Sequence, residues 1–205
     1  WQDMPDAAVA ELERAFANLH TIKTEFDFAS DPAAKIASKT LLWEAAAKEV
    51  ASGRNTPEQL IYLDVDTLLV HDPRPALADI SGDVLFTTKD SERYPVNTGV
   101  LIVRQSGIPD FLTHWREDTM RVLADKTLFA QAQSADYPYG APDQLSFYHL
   151  VDYQPSKTDY TINLPDGKKL TVTAIDCTRF NQTNSVPITD DMYIAHYKST
   201  WQKII

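Results

Sequence analysis

Apolar residues recur at helical spacing at the start of the chain. Val9, Leu12, Ala15, Phe16 and Leu19 share one stripe, which predicts a helix over Pro5–Leu19 with Asp6 as its N-cap. A second helix is predicted over Asp31–Ala51, with Leu41, Leu42, Ala45 and Ala46 on its apolar face. Ser52–Pro57 is a loop by composition. The pattern then changes period. Leu60–Leu63 is a short β-prone run and Leu68–Val70 resumes it. Val84–Thr87 and Gly99–Val103 read as further strands, the second of them buried. Pro109–Ala124 returns to helical spacing, anchored by Phe111, Leu112, Trp115 and Val122. Ala130–Ala141, with Tyr137-Pro138-Tyr139-Gly140 inside it, reads as irregular and cleft-lining, and Pro142–Val151 starts as a short helix. Thr161–Leu164 and Lys169–Ala174 flank the hairpin turn Pro165-Asp166-Gly167-Lys168, and Tyr193–Tyr197 is a final strand. No repeat, low-complexity tract or linker divides residues 1–205. The expectation is a single α/β domain with a mixed central sheet flanked by helices.

One place breaks the apolar pattern. The run Leu60-Ile61-Tyr62-Leu63 ends in Asp64-Val65-Asp66, after which the chain turns apolar again. Two carboxylates at the end of a buried strand are too costly for packing alone to explain. They point to a divalent cation such as Mg²⁺ or Mn²⁺, shared with a phosphate. Two chemistries use such a pair. In one, both carboxylates hold a metal on the diphosphate of a nucleotide-sugar, where it stabilises the leaving group as a Lewis acid. In the other, Asp64 is a phosphoryl acceptor and Asp66 an acid/base, as in haloacid-dehalogenase-type phosphatases, with Asp190-Asp191 as a late acidic pair.

Later residues bear on the choice. Asn97-Thr98-Gly99 opens into Val100-Leu101-Ile102-Val103, and an amide beside a glycine suits a hydroxyl-rich ligand with close backbone approach. A simple turn before a strand is the plain alternative. Asp143-Gln144 begins a helix, where Asp143 serves equally well as a cap. His196 lies in the last strand and is either structural or a third metal ligand. Lys198 and Lys203 supply cations that a diphosphate needs, or are ordinary terminal lysines.

Composition narrows the classes. Charged residues make up 23% and hydrophobic residues 43% of the chain, ordinary for a globular protein, but the net charge is −10. That argues against a nucleic-acid binder or a polybasic membrane-surface protein. It leaves a nucleotide ligand open, since a metal neutralises phosphate locally. No apolar stretch approaches the ~20 residues of a membrane span. Cys177 is the only cysteine, so there is no intrachain disulfide and no cysteine zinc site. A reducing compartment is compatible with that, and a cytoplasmic location is favoured. Asn181-Gln182-Thr183 is a glycosylation sequon, a pattern that often arises by chance.

Five motifs in order resemble the GT-A-fold glycosyltransferases, in particular the glycogenin-like and lipopolysaccharide galactosyltransferase-like group, glycosyltransferase family 8. Lys39-Thr40-Leu41-Leu42-Trp43 resembles the group's lysine-bearing helix, and Leu63-Asp64-Val65-Asp66-Thr67-Leu68 its Leu-Asp-Ala-Asp-Thr core. Val96-Asn97-Thr98-Gly99-Val100 resembles Phe-Asn-Ser-Gly-Val, with Val96 in place of the Phe. Asp143-Gln144 resembles the pair near the reacting sugar, and Ala195-His196-Tyr197-Lys198 the late His segment. The resemblance implies a GT-A-like (Rossmann-like) fold and transfer of a hexose from a nucleotide-diphosphate sugar, UDP-linked, with retention. The acceptor would be a glycan, a lipid-linked sugar or a protein. It further implies that Asp64, Asp66 and His196 bind Mn²⁺ (or Mg²⁺), with Asp64 also near the ribose. Lys39 would face the diphosphate or donor sugar, Asn97 and Asp143 the sugar hydroxyls, and Gln144 the anomeric carbon. Gly99 would admit the donor, and Lys198 or Lys203 would contact the diphosphate. Other features depart from the group as well. Its opening strand has no counterpart before Trp1, which suggests an incomplete N-terminus, and its late Gly and Lys-Pro-Trp are replaced around Ser199 and Trp201-Gln202-Lys203. The remaining alternative is a non-catalytic sugar-binding domain on a transferase fold.

Overall fold

The computed structural model describes residues 6–15, 31–52, 57–89, 95–105, 108–133, 138, 140–183 and 187–197. The elements run α1 (Asp6–Ala15), α2 (Pro32–Ser52), β1 (Gln59–Leu63), β2 (Thr67–Leu69), α3 (Arg74–Leu77), β3 (Val84–Thr88), β4 (Val96–Arg104), α4 (Ile108–Ala124), α5 (Lys126–Ala132), α6 (Pro142–Val151), β5 (Asp159–Asn163), β6 (Lys169–Ile175), α7 (Cys177–Phe180) and β7 (Ile194–His196). Phe16, Leu19, Tyr137, Tyr139, Lys198 and Lys203 lie outside the described residues.

Five strands form one mixed sheet in the order β1-β4-β3-β6-β5, and β2 pairs with β7 in a second, two-stranded sheet. Within the five-stranded sheet, among the described residues, β3–β6 is the one parallel pairing. Strand β4 lies inside the sheet and is buried from Val96 to Val103, which explains the unbroken apolar run Val100–Val103. Its alternation separates two cores. Leu101 and Val103 face a layer that includes Trp43 of α2, Phe111 and Trp115 of α4 and Phe147 of α6. Val100 and Ile102 face the other side, with Leu77 of α3, Phe180 of α7 and Ile194 of β7. Mixed sheet and flanking helices agree with the expected α/β class.

Four local expectations need correction. β1 is an edge strand among the described residues, and only Tyr62 within it is buried. The carboxylates therefore end a half-exposed strand. On α2 the buried stripe is Ala33, Ala37, Thr40, Trp43, Glu44 and Ala47, rather than Leu41, Leu42, Ala45 and Ala46. A charged residue belongs to that stripe because it is paired: Glu44 accepts from Thr113 Oγ1 at 2.7 Å and meets Arg116 Nε at 2.8 Å. The start of the segment read as irregular, Ala130 to Ala132, is instead the last turn of a helix, Lys126–Ala132, capped by the Asp125 side chain. Finally, α6 starts at Pro142 with Ala141 as N-cap, so Asp143 is not a cap but a buried residue of the first turn. The Pro165–Lys168 turn does join β5 and β6, with Gly167 at φ +87°.

The Glu44 pairing yields a stability prediction. Burial pushes its carboxyl up, but hydrogen bonds from Lys48 and Thr113 and the Arg116 charge outweigh that and hold it below its ordinary 4.5. Its contribution is therefore full above pH 4.5 and is lost as pH falls through the lower folded value. Glu44→Ala is expected to cost ~1–3 kcal/mol at neutral pH, read as a lower urea midpoint with an unchanged slope. The gap to wild type should close in acid. An equal midpoint at neutral pH would show that the pair contributes nothing to α2–α4 packing.

Candidate functional site

The site forms where β1 and β4 end together. Leu63 pairs with Val100, and Asp64 N–H donates to Gly99 O at 2.8 Å, carrying the ladder one residue past β1. The chain then turns. Thr67 closes the turn on Asp64 O through its N–H at 3.1 Å and its hydroxyl at 2.7 Å, leaving Val65 fully exposed between the two acids. The turn delivers the chain to β2, whose Thr67 is paired with His196 of β7. Tyr197 N–H also donates to Asp66 O at 2.8 Å. The small sheet thus carries a residue from the end of the chain onto the Asp-x-Asp turn.

Asp64, Asp66 and His196 form a group whose ligand atoms lie within 4.8 Å of one another. His196 Nε2 is 3.0 Å from Asp66 Oδ1 and 3.9 Å from Asp64 Oδ2. The other ring nitrogen, Nδ1, is 2.8 Å from Asn181 Oδ1. Two carboxylates and one imidazole nitrogen are the donor set expected of a Mn²⁺ or Mg²⁺ site. Space for this approach depends on Gly99. A Cβ there would lie 2.3 Å from His196 Cε1, 2.6 Å from its Nδ1 and 3.0 Å from Asp64 Oδ2.

A cation of the protein's own lies beside this group. Lys39 Nζ, from α2, is 2.6 Å from Asp143 Oδ2 and 3.4 Å from Asp64 Oδ1. Burial opposes the ammonium charge, yet the Asp143 and Asp64 carboxylates outweigh it and raise the Lys39 pKa. Asp143 is 1% exposed, and its Oδ2 also accepts from Thr98 Oγ1 at 2.6 Å. Trp115 Nε1 donates to Asp143 O at 3.0 Å and so fixes the first turn of α6. Asn97 Oδ1 accepts from Gly99 N–H at 3.1 Å, which orients its amide. Three buried polar atoms here have no hydrogen-bond partner among the described residues: Asn97 Nδ2, Asp143 Oδ1 and Gln144 Oε1. Burying such atoms unpaired is costly unless a ligand or water completes them.

No protein-family model and no curated protein matches the sequence. Among solved structures, the chain is similar to a glycosyltransferase involved in the glycosylation of the major capsid of PBCV-1. The TM-score is 0.55 at 13% identity, over 92% of this chain and 82% of that one. That likeness, on top of the mixed sheet and its helical layer, decides the architecture. The fold is that of a GT-A glycosyltransferase. Two further structures are the galactosyltransferase LgtC in complex with donor and acceptor sugar analogs and mouse xyloside xylosyltransferase 1. LgtC has a TM-score of 0.41 at 16% identity, over 75% of this chain and 57% of that one. The mouse enzyme has a TM-score of 0.42 at 10% identity, over 95% and 80%.

On this GT-A fold, Lys39, Asp64, Asp66, Asn97, Gly99, Asp143 and His196 come together at one end of the sheet. Asp190 and Asp191, the late pair of the phosphatase alternative, are exposed in a turn before β7 and take no part in the acidic group. Sequence reasoning missed Thr98, Thr87 and Asn181. Thr98 was hidden between two residues already singled out, and Asn181 was noted only as a sequon. Asn181 is fully buried and its Nδ2 donates to Thr87 Oγ1 at 2.6 Å, so the folded chain offers no acceptor for a glycan there. No helix among the described residues is long and apolar enough to cross a membrane.

Proposed function

We propose that this chain, as a single GT-A domain, is a metal-dependent glycosyltransferase. It moves a hexose-type sugar from a nucleotide-diphosphate sugar, UDP-linked, to a glycan, lipid-linked or protein acceptor, with retention. One observation supports the reading above all. The Asp64/Asp66/His196 group adjoins a lysine-bridged Asp143 and three unpartnered buried polar atoms. That combines a seat for a cation with a seat for a ligand rich in hydroxyls. Asp64, Asp66 and His196 would hold Mn²⁺ or Mg²⁺. When bound, that ion supplies Lewis-acid stabilisation of the leaving diphosphate.

The remaining roles belong to the chain itself. Asn97 Nδ2 donates to a donor-sugar hydroxyl, and Asp143 Oδ1 accepts from one. Gln144 Oε1 faces the region of the anomeric carbon. The Lys39 ammonium lies between Asp64 and Asp143, and a diphosphate or donor sugar arriving there meets a positive charge already in place. Lys198 or Lys203 provides a second cation for the diphosphate. Gly99 serves the donor site by leaving room for His196.

The test is a thermal-melt series with UDP, GDP and ADP, each with Mn²⁺ or with EDTA. A ligand at 100 times its dissociation constant stabilises by ~2.7 kcal/mol, or ~5–10 °C for a chain of this size. The expected result is a Mn²⁺-dependent shift with UDP that Asp66→Asn removes. A donor-hydrolysis assay on the same protein separates an enzyme from a binding domain. No shift with any nucleotide, together with Mg²⁺-dependent phosphatase turnover, would replace this reading with the phosphatase one.

A further inference from the structure

A chain of buried hydrogen bonds runs from the centre of the sheet to the back of His196. Thr87 Oγ1 is 3.0 Å from Asn97 O, Asn181 Nδ2 is 2.6 Å from Thr87 Oγ1, and Asn181 Oδ1 is 2.8 Å from His196 Nδ1. Thr87, Asn97 and Asn181 are fully buried and His196 is 2% exposed. These members come from β3, β4, the end of α7 and β7.

The direction of the chain is forced. Asn97 O is a carbonyl and only accepts, so the single Thr87 hydroxyl proton is spent on it. Thr87 Oγ1 must then accept from its other neighbour, which turns the Asn181 NH₂ group toward it. The Asn181 carbonyl therefore faces His196, and as a pure acceptor it requires a proton on Nδ1. A neutral imidazole with its proton on Nδ1 has its lone pair on Nε2, the atom 3.0 Å from Asp66 Oδ1.

The backbone holds both ends of the relay in place. β3 and β4 shift register between Phe86 and Thr87, so that Thr87 comes opposite Asn97. Gln182 forms an isolated bridge with Ala195, and His196 N–H donates to Gln182 O at 2.9 Å, which locks the residue after Asn181 to the last strand.

From this we infer that Asn181 and Thr87 are positioning residues: they hold the His196 ring in one orientation and one tautomer, with Nε2 directed at the Asp64/Asp66 cation. The inference rests on the reading of Asp64, Asp66 and His196 as a cation site. Supporting partners of a ligating histidine commonly alter metal affinity by about 10–100-fold.

The experiment measures Mn²⁺ affinity by electron paramagnetic resonance in wild type, Asn181→Leu, Thr87→Val and Thr87→Ser, with circular dichroism as the check on folding. A second arm uses histidine-¹⁵N protein loaded with diamagnetic Zn²⁺ to identify the protonated and the metal-bound ring nitrogen. The expected result is a proton on Nδ1 and metal on Nε2 in wild type. Asn181→Leu is expected to bind Mn²⁺ about 10–100-fold more weakly. Thr87→Val should lose about tenfold, and Thr87→Ser, which keeps the hydroxyl, should bind as wild type does. If Asn181→Leu fails to fold, the Val-against-Ser comparison decides. Unchanged affinity in a folded Asn181→Leu, equal affinity of Thr87→Val and Thr87→Ser, or metal on Nδ1 would each overturn the relay while leaving the cation site standing. A wild type that binds neither Mn²⁺ nor Zn²⁺ would overturn the cation site and the relay together.

Discussion

Gly99→Ala is expected to lower Mn²⁺ affinity by about 100-fold, the upper end of losses caused by disturbing a ligand's support. The reason is steric. Gly99 is not among the positive-φ glycines, so alanine meets no backbone penalty there. The new methyl would instead fall 2.3 Å from His196 Cε1 and 2.6 Å from Nδ1. Neither neighbour yields easily: the ring is buried and held by Asn181, and the Gly99 carbonyl is tied to the end of β1 by the Asp64 N–H at 2.8 Å. The imidazole must move, and with it Nε2. Overpacking of this kind costs ~1–3 kcal/mol in stability, which a thermal melt detects as a drop of a few degrees. The double variant Gly99→Ala/His196→Ala separates the two effects. It should recover stability, because the clash is gone, and still fail to bind Mn²⁺. Wild-type affinity in Gly99→Ala would show that the close approach is not what the site depends on.

Lys39→Met should be the most destabilising single change at the site. It removes the ammonium that lies 2.6 Å from Asp143 and 3.4 Å from Asp64, leaving Asp143 at 1% exposure without a cation. Breaking a buried pair from one side costs about 3–5 kcal/mol, a large fraction of a typical total of ~5–15 kcal/mol. Because the folded Lys39 pKa is raised above 10.5, its stabilisation is fully present at neutral pH. It would fade only as pH rises through that higher folded value. The neutralised double variant Lys39→Met/Asp143→Asn keeps an acceptor for Thr98 and removes the orphaned charge, so most of the lost stability should return. Urea unfolding of the four proteins completes the cycle. A cost below ~1 kcal/mol for Lys39→Met would place this pair with weak surface ion pairs. Activity should not follow stability here, since the double variant lacks both the cation and the carboxylate assigned to the donor.

What a reader of the sequence recovers depends on the range of each interaction. Strands β3, β4, β5 and β6 and helix α4 were legible because burial imposes period two or period 3.6 on neighbouring residues. Asp64 and Asp66 were legible because paired carboxylates interrupt such a pattern at a visible cost. The stripe of α2 was misjudged because a buried glutamate looks solvent-facing until its arginine is known, and that arginine is on α4. Asp143 looked like a cap because local rules favour acids at helix starts, whereas its partners Lys39 and Thr98 lie on α2 and β4.

By itself, then, the sequence determined the α/β class, most of the strands, and the residue types able to hold a cation and a hydroxyl-rich ligand. Only the tertiary structure decided that Lys39 bridges Asp64 and Asp143, that Gly99 makes room for His196, and that Thr87 and Asn181 stand behind that histidine. The physical reason is that side-chain hydrogen bonds between distant segments leave no period in the sequence. They exist because the order β1-β4-β3, the β2–β7 pairing and the packing of α2, α6 and α7 bring separate stretches of chain to one end of a sheet.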